Sequence, residues 1–176
     1  MIITISGNPG SGKNTVAELL AKKLGFKYYV MGDIRRKIAE ERGISLAELN
    51  KQDEENGETD KIVDDKLVKI GKEEDNVVAV GRTAFHFIPN SFKVFLDVTV
   101  DEGAKRISLQ AREHEKYKDI AYGVEKIKER KKSDEFRYKK LYGIDYKDKN
   151  NYDLWIDTTT IPAIKVVEMV LDKIKI

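Results

Sequence analysis

Apolar residues in this chain fall into short continuous runs separated by stretches where they recur every three or four positions. Ile2-Ile3-Thr4-Ile5-Ser6, closed by Gly7, is a run of the first kind and predicts a buried strand. From Lys13 the spacing turns helical through Val16, Leu19, Leu20 and Leu24, and Gly25 stops it. Tyr28-Tyr29-Val30 predicts a second strand. Asp33 is then expected to cap a helix through Ile34, Ile38 and Ala39 that ends at Gly43. Ser45 with Glu48 spells a capping box for another helix. Residues 51–61 read as a polar stretch, followed by a helix to about Lys72. Val77-Val78-Ala79-Val80 has the unbroken apolar character of a strand covered on both faces, and Val94-Phe95-Leu96 repeats it. Residues 101–141 read as helical and highly charged. Leu154-Trp155-Ile156 is the last strand. Thr160 is expected to cap the final helix, with Pro162 near its first position and Ile164, Val167, Leu171 and Ile174 along one face. Strands alternating with helices predict βαβ units, hence an α/β protein with a doubly wound, parallel, five-stranded sheet.

Composition narrows the chemistry. The chain has 176 residues and no Cys, so one domain is expected and thiolate nucleophiles, disulfides and Cys-ligated zinc are excluded. The two histidines, His86 and His114, are far apart, against a histidine metal site. No apolar run reaches the roughly 20 residues of a membrane span. The opening residues show no basic leader or cleavage site, so a cytoplasmic location is expected. A net charge of +2, from 33 cationic and 31 anionic residues, gives no overall attraction to nucleic acid or membrane.

In such a sheet, ligands bind at the carboxyl ends of the strands. The turn after the first strand reads Gly7-Asn8-Pro9-Gly10-Ser11-Gly12-Lys13-Asn14-Thr15. Glycines allow successive backbone N–H groups to converge on an anion, and the following helix adds its positive end. Lys13 can reach terminal phosphates, and a hydroxyl can hold Mg²⁺. The commonest wording has Ser or Thr directly after the Lys. Here Asn14 stands there and Thr15 follows, a spelling that resembles the adenylate-kinase-like nucleoside monophosphate kinases. A GTPase would need D-x-x-G, which is absent. The GTPase-like Asn50-Lys51-Gln52-Asp53 falls at a helix end rather than after a late strand, and reads as a solvated coincidence.

A kinase acting on a phosphorylated acceptor must hold two polyanions together, so cationic side chains around the loop are required. Arg35-Arg36 follow the second strand, and Gly81-Arg82 follow the strand 77–80 at its carboxyl end. Arg130, Asp134 and Arg137 share one helix face. Residues 126–140 contain eight Lys or Arg, however, and such a run by itself describes a solvated face. His86, between Phe85 and Phe87, reads as a packed or capping histidine, and Trp155 as core.

These residues together resemble the archaeal-type cytidylate kinases. The similarity runs along nearly the whole chain. It includes the phosphate loop, Gly32-Asp33-Ile34-Arg35-Arg36 with Ala39, Ser45-Leu46-Ala47-Glu48, Asp60 with Val63-Asp64, and Gly81-Arg82. Its most specific part is Arg137-Tyr138-Lys139-Lys140-Leu141-Tyr142-Gly143-Ile144-Asp145, continuing to Tyr152-Asp153-Leu154 and Ile156-Asp157-Thr158. The resemblance implies a single P-loop kinase domain over 1–176, with acceptor-binding helices at 33–73 and a lid at about 115–145. It implies transfer from ATP to CMP or dCMP with Mg²⁺, by a monomer, with no membrane partner and nucleic acid disfavoured. Gly7 through Thr15 would hold ATP. Lys13, Arg82, Arg130 and Arg137 would be catalytic. Arg36, Asp60, Asp64, Arg82 and Asp134 would bind the acceptor, and Thr15 and Asp33 the metal.

There are departures. Val80 stands where the family has an acid, which makes Asp33 the candidate substitute. Gly103 stands where an Arg is frequent, with Arg106 retained, and Thr83-Ala84-Phe85-His86-Phe87-Ile88-Pro89 has unusual wording on the expected acceptor side. A kinase of the same fold for AMP or a non-nucleotide acceptor remains an alternative. So does a P-loop nucleotide- or RNA-binding protein without turnover.

Overall fold

A computed structural model of the chain describes residues 1–109 and 119–174. Five parallel strands form one sheet in the order β2-β3-β1-β4-β5. They are β1 Ile2–Gly7, β2 Lys27–Val30, β3 Val77–Val80, β4 Phe92–Asp97 and β5 Leu154–Asp157. The helices are α1 Lys13–Leu24, α2 Met31–Glu41, α3 Leu46–Asn56, α4 Glu58–Glu73, α5 Ala84–Phe87, α6 Val100–Leu109, α7 Ile120–Tyr142 and α8 Ala163–Lys173.

Alternation along each strand sends successive side chains to opposite faces. Val78 and Val80 pack with Ile3, Ile5, Val94 and Leu96 under α1 and α8, through Val16, Leu20, Val166, Val167 and Val170. Val77 and Ala79 face the other way, against Met31 of α2, Val63, Leu67 and Ile70 of α4, and Ala84 of α5. Both faces of β3 are therefore dry, which is why its sequence shows no polar alternation. A third cluster of Phe85, Phe95, Tyr138 and Tyr146 ties α7 and the segment after it to the sheet. Trp155 stacks on Phe95 at 3.8 Å and is half-buried at the edge of this cluster.

Several boundaries differ from the sequence expectation. Asp33 does not cap α2: the helix starts three residues earlier than such a cap implies, with Val30 at its N-cap, and Asp33 lies in the first turn. Residues 51–61 are not an open polar stretch. α3 runs to Asn56 and α4 starts at Glu58, with Gly57 at φ 64° serving both as the C-cap of one and the N-cap of the next. The left-handed conformation lets the chain reverse in a single residue. Pro162 rather than Thr160 is the N-cap of α8. Ile164 is exposed, and Val166, Val167, Val170 and Ile174 form the buried stripe. The short α5 and the 3₁₀ turn Lys149–Asn151 had no clear periodic signal. The Ser45–Glu48 capping box forms as expected. His114 and the middle of the expected 101–141 helix fall outside the described residues. Among the described residues no helix is long and apolar enough to cross a membrane.

Candidate active site

β1 lies between β3 and β4, so the turns leaving β1 and β3 at their carboxyl ends face a common crevice. The loop 8–12 fills the β1 side. Asn8 Nδ2 donates to Asp97 Oδ1 at the end of β4 (2.5 Å), and Thr158 Oγ1 donates to Ser11 O (3.1 Å). Arg106 Nη1 reaches Gly10 O (3.4 Å), while its Nη2 donates to Thr158 O (2.7 Å) and Thr159 O (3.1 Å). Lys13 Nζ donates back to Asn8 O (2.7 Å) and Ser11 Oγ (3.4 Å), so the ammonium lies over the loop it belongs to. On the other side, Ser6 Oγ donates to Gly81 O (2.8 Å), fixing the β3 exit beside the end of β1.

The Gly103 departure has a physical reason. Gly10 sits at φ 77°, and a Cβ there would lie 2.4 Å from Gly103 Cα; a Cβ on Gly103 would lie 2.7 Å from Pro9 O. Helix α6 thus packs directly on the loop backbone, and both contacts require glycine. No side chain at position 103 fits this arrangement.

An open crevice lies between two walls. One wall is loop and α1: Pro9, Gly10, Gly12, Lys13, Asn14 and Thr15. The other carries Arg35, Arg36, Asp60, Gly81, Arg82, Arg130 and Tyr138. Of the residues singled out in the sequence, Lys13, Thr15, Arg36, Asp60, Arg82 and Arg130 line it together. Gly7 ends β1, and Asn8 and Ser11 belong to the loop; none of the three is in the lining. Asp134 and Arg137 are buried behind Arg82 and Asp60.

Behind the cationic wall runs a chain of alternating charges. Arg82 Nε lies 2.8 Å from Asp134 Oδ2, a close ion pair without hydrogen-bond alignment. Asp134 Oδ1 accepts from Arg137 Nη2 (2.9 Å), and Arg137 Nε donates to Asp60 Oδ2 (2.7 Å). Asp60 Oδ1 accepts from Arg35 Nη1 (2.7 Å), whose Nη2 reaches Asp53 Oδ2 (2.6 Å) and Asn50 Oδ1 (2.8 Å). Arg137 is 1% exposed, so this part of the basic run is not a solvated face. Asn50 and Asp53 are buried as well, because their carbonyl and carboxylate satisfy Arg35. The tetrapeptide Asn50-Lys51-Gln52-Asp53 is therefore neither guanine-reading nor a solvated helix end.

Electrostatics follow from burial and neighbours. Burial pulls Asp134 upward, but the guanidiniums of Arg82, Arg137 and Arg130 outweigh it and hold the carboxyl below its usual range. At Asp60, burial wins over Arg35 and Arg137, and the carboxyl stands above its usual value. Burial also pushes Asp64 up to about 6, against opposing hydrogen bonds from Tyr142 and Thr83. Asp64 is not in the crevice lining; it joins α4 to Thr83 and to the end of α7. A buried acid whose pKa is raised on folding binds its proton more tightly in the native state. Its stabilising contribution is full below the unfolded value near 4 and is lost as pH rises to about 6. Thermal melts between pH 4 and 7 should show this slope in the native chain and lose it in Asp64→Asn.

Two metal-side candidates are separated in character. Thr15 is exposed in the first turn of α1 and lines the crevice. Asp33 is exposed and pairs with Arg36. Among the described residues no group of three or more His, Asp or Glu could hold a metal by itself. A cation carried in by nucleotide phosphates needs only one or two protein oxygens, and Thr15 in the lining suits that mode, whereas Asp33 lies outside the lining and is held by Arg36. His86 is exposed and packs edge-on to Phe87 at 4.9 Å, consistent with a packed histidine.

Sequence reading missed Arg35, Asn50 and Asp53 as a set, and also Tyr138 in the lining. Asn50 and Asp53 are three apart on one face of α3, the one signal that could have paired them.

The profile of the cytidylate kinase-like family matches residues 2–160. A protein named cytidylate kinase from Methanobrevibacter smithii is 34% identical over 176 residues, covering 100% of this chain and 99% of that protein. Another from Sulfurisphaera tokodaii is 38% identical over 174 residues, covering 97% and 93%. Among solved structures, shikimate kinase from Bacteroides thetaiotaomicron superposes with a TM-score of 0.68 at 18% identity, covering 100% of this chain and 99% of that one, a likeness of fold.

Proposed function

The chain belongs to the cytidylate kinase-like family and is a nucleoside monophosphate kinase, and we propose that it catalyses ATP + CMP (or dCMP) → ADP + CDP (or dCDP) by in-line phosphoryl transfer. The observation that carries the reading is the crevice itself. A phosphate loop with Lys13 forms one wall and Arg36, Arg82 and Arg130 form the other, at the meeting point of β1 and β3. Two polyanions placed there would have cations on both sides.

In this reading, the backbone of Gly7 through Thr15 holds the ATP phosphates, and Lys13 leaves Asn8 O to meet them. Arg36 and Arg82 bind the acceptor phosphate. Asp60 faces the acceptor nucleoside with the lone pairs that its two arginines leave unused. Asp64 and Asp134 support that side, Arg130 neutralises charge on the transferring group, and Arg137, expected from the sequence to do the same, acts from behind the crevice through Asp60 and Asp134. A phosphate oxygen is already ionised at neutral pH, so no general base is needed. Thr15 would hold a Mg²⁺ arriving with ATP; when bound, the ion neutralises charge between the terminal phosphates. Residues 33–73 form the acceptor side and about 115–145 the lid of one domain over 1–176; residues 115–118 of that lid lie outside the described residues. Closure of the lid excludes water, the competing acceptor. The protein is expected to work as a monomer in the cytoplasm.

A coupled ADP-release assay with ATP and Mg²⁺ against CMP, dCMP, UMP, AMP and GMP tests this. Turnover with CMP and dCMP supports it. Preference for another acceptor would keep the kinase and move its specificity. Absence of acceptor-dependent ADP would turn attention to RNA binding, measured by its dependence on salt. Arg82→Ala should raise the acceptor's KM at least about tenfold, the loss of one charge-assisted contact, with the KM for ATP little changed. An effect confined to ATP would overturn the assignment of Arg82 to the acceptor.

A further inference from the structure

Two adjacent arginines in α2 both line the crevice, and the structure uses them differently. Arg36 pairs with exposed Asp33. Arg35 is 11% exposed in its side chain, and its guanidinium is spread over three acceptors on two other helices. Nη1 holds Asp60 Oδ1 on α4, while Nη2 is shared between Asn50 Oδ1 and Asp53 Oδ2 on α3. Asp53 is itself fixed from a second direction, since its Oδ1 accepts the Thr59 N–H (2.9 Å) in the first turn of α4. Asp60, gripped by Arg35 through one oxygen, presents the other to Arg137 Nε.

We propose that Arg35 is a positioning residue of the acceptor site: anchored by Asp53 and Asn50, it fixes the Asp60 carboxylate, which in turn sets the guanidinium of Arg137 behind the crevice. This rests on the kinase reading of the crevice. The planar fork is what the role requires. Two nitrogens point at carboxylates on different helices, a span that a lysine's single ammonium does not reproduce. The same geometry explains the buried Asn50 and Asp53, whose polar atoms would otherwise be costly inside α3.

The consequence is visible in pH as well as affinity. Asp60 is faced by Arg35 from α2, Asp53 from α3, Asp64 on its own helix, and Arg137, Tyr138 and Tyr142 from α7. Burial already lifts its carboxyl despite both arginines. Without Arg35 it rises further, and protonation then weakens its hold on Arg137.

The test uses the full chain and compares Arg35→Met, Arg35→Lys and Asp60→Asn, alone and with Arg35→Met, by initial rates with CMP and ATP at pH 8 and pH 6. Arg35→Met should raise the CMP KM about tenfold at pH 8 and more at pH 6, with the KM for ATP within about twofold. Arg35→Lys should recover part of the loss. In the Asp60→Asn background, Arg35→Met should add less than about twofold, because the two act through one path. A folded Arg35→Met with unchanged CMP KM, with equal rises for both substrates, or with full additivity on Asp60→Asn overturns the proposal. If Arg35→Met fails to fold, Arg35→Lys decides by the same KM comparison. Wild-type chain inactive on CMP would instead defeat the kinase reading, whereas active wild type with an indifferent Arg35 defeats only this inference.

Discussion

Lys13→Ala lowers kcat by about two to three orders of magnitude, the cost of removing one preorganised charge from a transferring group. Thermal stability changes little in the same variant. The ammonium donates to Asn8 O and Ser11 Oγ, both within its own loop, and neither contact joins distant elements. The loop is held instead from outside, through Asn8 to Asp97, Ser11 O to Thr158 and Gly10 O to Arg106, and all three anchors survive the change. Steady-state ADP release together with a thermal melt separates the two effects. Near-normal turnover in a folded variant would remove Lys13 from the chemistry.

Asp134→Ala acts on stability first. Asp134 is 1% exposed and answers the guanidiniums of Arg82 and Arg137, both of which it meets within 3 Å. Arg130 also helps to keep the carboxyl ionised. Deleting it leaves buried cations with a missing counter-charge and opens a gap in the middle of α7. Removal of one partner from a buried ion pair costs about 3–5 kcal/mol. For a chain of this size that corresponds to a fall in Tm of roughly 10 °C. Asp134→Asn keeps the volume and one acceptor oxygen, so it should fall between the two. Urea or thermal unfolding of the three proteins checks the order. A melting point for Asp134→Ala within a degree or two of the native chain would show that Arg82 and Arg137 find solvent instead.

Much of this architecture is legible without coordinates, for identifiable reasons. β3 is buried on both faces, so its residues had to be apolar throughout, and an unbroken apolar run is hard to mistake. The phosphate loop is equally plain, because converging N–H groups demand glycines at fixed spacing before a Lys. Gly57 hid the boundary between α3 and α4. Both helices are polar on their outer faces, and a one-residue reversal leaves no loop-like composition behind. The charge chain was hidden by a different route. Asn50 and Asp53 look like solvent-facing residues until Arg35, fifteen or more positions earlier, is folded over them. A single sequence carries the charges but not their pairing across helices. The reason for Gly103 was hidden in the same way: its constraint is the backbone of Pro9 and Gly10, which no local pattern reveals.

The alternating chain from Asp53 to Arg82 also has a bearing on temperature. Hydration of charged groups becomes less favourable on heating, so the penalty for keeping such pairs out of water shrinks, while apolar burial gains little further per unit area. The strands and α1 are held by the second kind of force, and the acceptor wall by both: apolar contacts seat α2 and α4 on β3, and the charge chain ties α2, α3, α4 and α7 to one another. On warming, the ties among the acceptor helices therefore lose less than the apolar contacts that seat them on the sheet.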